Sequence, residues 1–364
     1  MDRDAYLEKT AQIIKDKSKG KEIVCWGYAP DFVEKIKEYG IYIIKIFTRK
    51  KNYFDKGCVS FEELQKLAGL AFVVFPNSTK LKESVDLLKK WGFEDTDYYS
   101  LYPEKRIIIK QTADYEDDHG NQVAGYDPQI SLDISGYNNY VKIGKNIKVI
   151  NKFIIHIDGN NNNLVIGDNC VFGGGSSGSD NVQLALSGKY GANVNIEANV
   201  NMKRAFIGIR SYSDLNIGRN TTFRPGFLCI IDAYSSVKIG KDCMFSGGCV
   251  IQSSDGHSIF NVNTGKNINS ILKDDQKYVS EIDVGDHVWI GRDCMILGTT
   301  KIGEGTIVGA RSTVKGNYPN NVIIAGSIAR IIAKDRAWSR VFMSDDISDC
   351  EGYDKKTVET FMVD

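Results

Sequence analysis

From about residue 141 the chain carries apolar side chains on a six-residue beat. Val284, Ile290, Ile296, Ile302, Val308 and Val314 fall in register across thirty residues, and the beat runs upstream through Ile143, Val149 and Ile155, Ile166 and Phe172, Ile217 and Phe223, and Ile239, Phe245 and Ile251. Glycine follows the aliphatic at Ile143-Gly144, Ile166-Gly167, Ile217-Gly218, Ile239-Gly240, Val284-Gly285, Ile290-Gly291, Ile302-Gly303 and Val308-Gly309. A short strand that bends every six residues needs one inward apolar side chain and one residue that tolerates the bend. Stacked coils of such strands make a solenoid, each coil burying its face on its neighbours. A sandwich would instead alternate with period two over longer strands. Gaps in the beat mark where loops leave the coil.

The first hundred residues have another texture. Short apolar runs at Ile23–Trp26, Ile41–Phe47 and Ala71–Phe75 predict strands, and Asp31–Tyr39, Phe61–Ala68 and Lys80–Trp91 predict helices. Alternation of this kind predicts a parallel sheet with crossover helices, a Rossmann-like α/β domain over 1–105. A turn-rich connector with β character follows over 106–140, then the repeat over 141–333, and a short helical tail over 334–364.

Composition narrows the partners. Lys+Arg and Asp+Glu both number 46, so no global field favours nucleic acid or an anionic membrane. The opening residues carry no basic, apolar leader, and no run reaches membrane-spanning length, which predicts a cytoplasmic protein without membrane insertion. The cysteines show no paired spacing, as expected of a reducing compartment. Cys170, Cys243, Cys249 and Cys294 each stand four residues after an inward apolar residue, a place for small side chains inside the coil. That predicts inert packing thiols and argues against a covalent acyl-enzyme.

The search for a general base is short, because there are four histidines: His119, His156, His257 and His287. His119 lies in an acidic turn, His156 in an aliphatic run, and His287 at a coil corner, where a polar residue is expected anyway. His257 differs, because the beat stops at Ile251 and resumes only at Ile282. Long loops that interrupt a rigid repeat are where sites are usually built. Asp255 stands two residues before it, a carboxylate placed to orient the ring or raise its basicity.

The stretch Ser254-Asp255-Gly256-His257-Ser258-Ile259-Phe260, with Thr264-Gly265 and Ile268-Asn269 beyond it and Asp286-His287-Val288-Trp289-Ile290-Gly291 after the loop, resembles bacterial capsular-polysaccharide and sialate O-acetyltransferases. These are hexapeptide-repeat acyltransferases with an all-β, left-handed parallel β-helix. The resemblance covers roughly Val141 to Lys334. It implies acetyl-CoA as co-substrate, no metal, a homotrimer, and a sugar or polysaccharide acceptor. His257 matches the family's catalytic histidine, with Asp255 beside it, and Trp289 the tryptophan that lines the pocket from across a subunit interface. Ala310 matches the small residue beside the pantetheine arm.

The closing segment Ile324-Ala325-Gly326-Ser327-Ile328-Ala329-Arg330 lacks the proline of the family's turn. Arg311, Lys315, Arg330, Lys334 and Arg336 nevertheless concentrate cations toward that end, where the phosphates of CoA need charge-assisted contacts. In the loop over 258–281, Asn261, Asn263, Asn267 and Asn269 are candidates for acceptor recognition, since amides suit sugar hydroxyls, although loop asparagines also form plain turns. Two other readings stay open. One is a nucleotide-sugar N-acetyltransferase using the N-terminal domain, where Trp26-Gly27-Tyr28-Ala29-Pro30 supplies one glycine of a dinucleotide fingerprint's three. The other is a non-catalytic scaffold or carbohydrate-binding module.

Overall fold

A computed structural model describes residues 3–341, apart from 28, 49–53, 55–56, 77–80, 101–106, 110–113, 118, 126, 128, 175–180, 189–190 and 270–276. The expected helical tail over 342–364 and the loop segment 270–276 lie outside the described residues. The chain forms two compact units, Met1–Ile107 with Ser135–Tyr137, and Ile108–Ile134 with Asn138–Asp364.

The first unit is a parallel five-stranded sheet. Its elements run α1 (Arg3–Ser18), β1 (Glu22–Trp26), α2 (Pro30–Glu38), β2 (Lys45–Phe47), β3 (Cys58–Val59), α3 (Phe61–Gln65), β4 (Ala71–Phe75), α4 (Leu81–Lys90) and β5 (Tyr98–Ser100). The strand order is β3-β2-β1-β4-β5. β4 is buried at every position, as a strand covered on both faces must be. The strand expected over Ile41–Phe47 shortens to Lys45–Phe47. Gly40 turns left-handed at φ +78° to end α2, and the Ile41 N–H still bonds the Ile36 carbonyl, so this stretch serves as the helix exit. α1 was not read from the pattern, although Leu7, Ala11 and Ile14 form its buried stripe.

The second unit is a parallel β-helix with three short strands per turn. Within the coil each strand pairs in parallel with the strand one turn later, from Tyr140–Ile143 on Asn163–Ile166 up to Ile307–Val308 on Ile323–Gly326, and Ala329–Ala333 closes the end as an antiparallel strand. We name the three walls by their starting strands: first (Tyr140–Ile143), second (Lys148–Val149) and third (Phe153–Gly159). Ile290, Ile296, Val284 and Val314 are fully buried, and Ile302 and Val308 are 1% exposed, so the six-residue beat is the inward column of this prism. The stacking starts a turn before Val141, because Gln122–Ala124 pairs with Tyr140–Lys142. It also runs unbroken across the gap in the beat between Phe172 and Ile217, through Ile196 and Met202.

Two features had no aliphatic signal. A buried amide ladder begins the coil: Asn139 donates Nδ2 to Asn121 Oδ1 at 2.9 Å and to the Gly159 carbonyl at 2.9 Å, while its Oδ1 accepts from the Asn162 N–H at 3.0 Å and Nδ2 at 2.9 Å. The described part of the C-terminal segment, residues 334–341, is irregular rather than helical, bending at Asp335, with Trp338 7% exposed. Among the described residues no helix is long and apolar enough to cross a membrane.

Candidate active site

The long loop leaves the prism at the corner between the third and first walls, after Val250–Gln252 and before Ser280–Val284. Its root is anchored from below. The Asp232 N–H donates to Ser253 Oγ at 2.9 Å, and Ser254 Oγ donates to the Asp232 carboxylate, which also pairs with Arg210 Nε at 3.0 Å. Ser254 Oγ accepts in turn from the Gly256 N–H at 3.0 Å, which sets the backbone one residue before His257. Gly298 passes directly above, one turn later. A Cβ there would stand 2.2 Å from the Ser253 carbonyl oxygen, so only glycine fits over the root.

His257 is exposed at the tip of this turn. Asn269 holds it from the returning strand of the loop: Nδ2 donates to the His257 carbonyl at 2.8 Å and to Asp255 Oδ2 at 2.9 Å, and Oδ1 accepts from the Ile259 N–H at 2.9 Å. The Asp255 carboxylate thus fixes the loop through Asn269, and among the described residues no hydrogen bond joins it to the His257 ring. At the far end of the loop Asp214 accepts from Asn193 Nδ2 at 2.8 Å, from Lys277 Nζ at 3.2 Å and from the Tyr278 hydroxyl. Burial alone would push this carboxyl up; the hydrogen bonds from Tyr278, Asn193 and Lys277 outweigh burial and hold it below its ordinary value.

Beside the turn lies a polar cleft of about 270 Å³ lined by Gln252, Ser254, Asp255, Asn269, Thr299 and Lys315, among others. Lys315 therefore belongs with the loop root. Arg311 sits instead on the corner between the second and third walls, 3.9 Å from Asp293. Arg330 lies on the final strand Ala329–Ala333, and Lys334 just beyond it accepts Arg336 Nη1 on its carbonyl. The cations close in sequence are thus spread over several places on the prism, because a coil turns a corner every few residues.

The other asparagines serve the loop itself. Asn261 Oδ1 accepts from the N–H groups of Asn263 and Thr264 at 3.0 Å each, and Asn267 Oδ1 from the Asn269 N–H at 3.0 Å. Asn263 is exposed.

Trp289 stands on the second wall, the side of the prism opposite the corner that bears the loop. It is 36% exposed, in register with Met244 and Ile307, and its Nε1 lies 3.4 Å from Ser246 Oγ. Ala310 is exposed at the adjoining corner, directly above Gly291; a Cβ on Gly291 would stand 2.7 Å from the Ala310 nitrogen. Glycines recur on that corner at Gly226 and Gly248, both in the left-handed region. His257 and Trp289 do not meet within one chain.

The remaining histidines are engaged elsewhere. His156 Nδ1 lies 3.2 Å from Asp133 Oδ2, and the His119 N–H donates to Asp117 Oδ1 at 2.9 Å. His287 is 4% exposed and packed by Trp338. The coil cysteines are inward and buried, and burial pushes the Cys243 and Cys249 thiols up to about 12 and the Cys170 thiol to about 11. Thiolate chemistry is closed to them. Sequence reasoning missed Asp232, Arg210 and Asp214, whose part in holding the loop depends on coil stacking and leaves no local signal.

Comparison with known proteins bears on the coil and on the kind of transfer. The family described as bacterial transferase hexapeptide (six repeats) matches residues 282–316, and the repeat marks the coil as a left-handed β-helix. The chain is 29% identical over 169 residues to a polysialic acid O-acetyltransferase of Escherichia coli O1:K1 / APEC, a match spanning 46% of this chain and 52% of that protein. It is 30% identical over 164 residues to a polysialic acid O-acetyltransferase of Neisseria meningitidis, spanning 44% of this chain and 67% of that protein. Among solved structures, the polySia-specific acetyltransferase NeuO is 26% identical with a TM-score of 0.48, over 60% of this chain and 94% of that one. The chain spans about half the length of the first of these relatives and two thirds of the second. By its repeat and by this identity, the chain belongs to the hexapeptide-repeat acyltransferases, in the family of bacterial sialate and capsule O-acetyltransferases.

Proposed function

We propose that this protein transfers an acetyl group from acetyl-CoA to a hydroxyl of a surface polysaccharide or its precursor, with His257 as general base. One observation carries the reading. A rigid prism is interrupted by a loop whose hydrogen bonds fix the backbone of one exposed histidine next to a cleft lined by Asp255 and Asn269, in a chain of this family. The imidazole takes the proton of the acceptor hydroxyl as its oxygen attacks the thioester carbonyl. When the tetrahedral adduct collapses, the imidazolium returns that proton to the departing CoA thiolate. A backbone N–H supplies the oxyanion contact. Acetyl-CoA is a cytoplasmic co-substrate, so the reading places the enzyme there.

The site is read as composite. The outer face of the third wall carries Phe206, Leu228, Val250 and Met295 in one column, with Phe206 37% and Met295 39% exposed, and Ile230 and Leu297 in the next, with Gln252 between them. A contiguous apolar face on a rigid prism supports packing against further copies, and a closed threefold ring brings one copy's loop corner to the next copy's second wall. Trp289 then faces the His257 of a neighbour, and acetyl-CoA lies in the groove between them. Its pantetheine arm runs along the glycine-rich corner at Ala310, and its phosphates reach toward Arg311, Arg330 and Lys334. Lys315 serves the acceptor side, and Asn269 holds the turn that bears His257.

The test is His257→Ala, which lowers acetyl transfer by roughly two to four orders of magnitude while CoA binding and oligomeric state persist. Near-normal transfer by that variant removes His257 from the role. A second reading, nucleotide-sugar N-acetylation, is favoured by the N-terminal strand order, which we read as Rossmann-like with its switch point between β1 and β4 at Gly27. Offering a nucleotide amino-sugar and a capsular oligosaccharide side by side separates the two.

A further inference from the structure

The corner between the first and second walls carries a column of residues in the left-handed region: Asn169, Asn199, Asn220, Asp242 and His287, with φ between +54° and +62°. Each donates its N–H to a corner carbonyl of the turn below. Asparagine and aspartate tolerate this conformation and are enough to make the turn. The imidazole at His287 is therefore more than the corner requires, and the structure shows what it meets. The chain after the last strand folds back across this corner. The Trp338 indole stacks on the imidazole with centroids 4.0 Å apart and planes 14° from parallel. Its Nε1 donates to the His287 carbonyl at 2.9 Å, and its own carbonyl lies 2.9 Å from His287 Nε2, while Nδ1 lies 3.2 Å from Asp242 Oδ2.

Two residues on, Arg340 closes the contact. It donates Nε to Asp242 Oδ1 at 2.8 Å, Nη1 to Thr222 Oγ1 at 3.0 Å and Nη2 to the carbonyls of Asp242 and Cys243 at 3.1 and 2.9 Å. Arg336 adds its N–H to the Asn321 carbonyl at 2.9 Å. The far side of Trp338 packs on Trp289, with ring centroids 5.9 Å apart at 47°. Trp289 Nε1 also donates a long hydrogen bond of 3.4 Å to Ser246 Oγ. A half-open indole has several staggered rotamers open to it, and the Trp338 ring stands against one side of it.

We propose that residues 336–340 form a strap that fixes the Trp289 rotamer, making Trp338 and Arg340 positioning residues for the CoA groove. The inference rests on the reading of Trp289 as a wall of that groove. The strap acts through Trp289 alone, touching no substrate, so its effect disappears when Trp289 is absent.

The experiment is a double-mutant cycle read by calorimetric binding of CoA to the full chain. Trp338→Ala weakens CoA about tenfold, Trp289→Ala weakens it comparably, and the pair together is within about twofold of Trp289→Ala alone, because coupled residues are not additive. Trp338→Phe, which keeps a ring on His287, stays within about threefold of the parent. Arg340→Gln releases the strap without touching the stack and reproduces the Trp338→Ala pattern, which keeps the test open should Trp338→Ala fail to fold. Weakened binding by Trp289→Ala beside unchanged binding by Trp338→Ala and Arg340→Gln overturns the strap, as does full additivity in the double variant. Unchanged binding by Trp289→Ala itself overturns the reading of Trp289, and the strap with it.

Discussion

Asn269→Ala isolates the positioning of His257 from its chemistry. The side chain makes three hydrogen bonds, to the His257 carbonyl, to Asp255 Oδ2 and from the Ile259 N–H, at 2.8, 2.9 and 2.9 Å. Each such bond is worth about 0.5–1.5 kcal/mol net, and the one to the carboxylate lies at the upper end. The turn is open to water, which re-solvates the groups left behind, so the lower half of the sum applies, about 1.5–3 kcal/mol. That free energy holds the turn around His257 in one arrangement. Its loss is felt as misplacement of the base and lowers kcat/KM by roughly ten- to a hundredfold, with KM for acetyl-CoA unchanged. Steady-state release of CoA thiol measures it, with thermal melting as control. The prism does not rest on this loop, so the melting temperature stays put. Asp255→Asn keeps the tie to the His257 carbonyl and loses less. Activity within twofold of the parent for Asn269→Ala refutes the reasoning.

Two further predictions concern the frame. Asn139→Ala strands the Gly159 carbonyl and the N–H and side-chain amide of Asn162 in a fully buried corner, while Asn121 Oδ1 keeps only the residue-139 backbone N–H, and destabilises the coil unit by about 3 kcal/mol or more in denaturant unfolding; a loss under 1 kcal/mol contradicts the ladder's role. The Asp214 carboxyl is held below its ordinary value of 3.8, so its contribution is present above that pH and lost as pH falls through the depressed value. Asp214→Asn therefore melts lower than the parent at about pH 6, and the difference closes as the pH falls through the depressed carboxyl value. A difference that persists or widens in acid contradicts the pairing.

The coil was legible because its code is strictly local. One inward aliphatic every sixth residue, with a residue that bends after it, is written directly into Val284 through Val314, and burial places all six in the prism interior. The loop was legible as the place where that code stops. What lay hidden depends on stacking. Asp232 is more than twenty residues from Ser254 in sequence and one turn below it in space, and Asp214 reaches Tyr278 in the same way. Lys315 read as a companion of Arg311, yet four residues carry the chain from one corner across a wall to the next, and it lines the loop cleft instead. His287 read as an ordinary polar corner; its partner Trp338 is 51 residues away. In the α/β unit, Ile41 packs inward while Tyr42 and Ile44 are 64% and 48% exposed, so apolar content alone overstated the strand.

The composite site is tested most directly by mixing two crippled chains. His257→Ala and Trp289→Ala homo-oligomers are prepared separately, then dissociated and reassembled together at equal amounts. In a ring where each site draws its imidazole and its indole from different copies, random reassembly restores both wild-type side chains to about a quarter of the sites. Acetyl transfer then rises from near background to about a quarter of the parent rate. A mixture no more active than the sum of its two components contradicts the shared site.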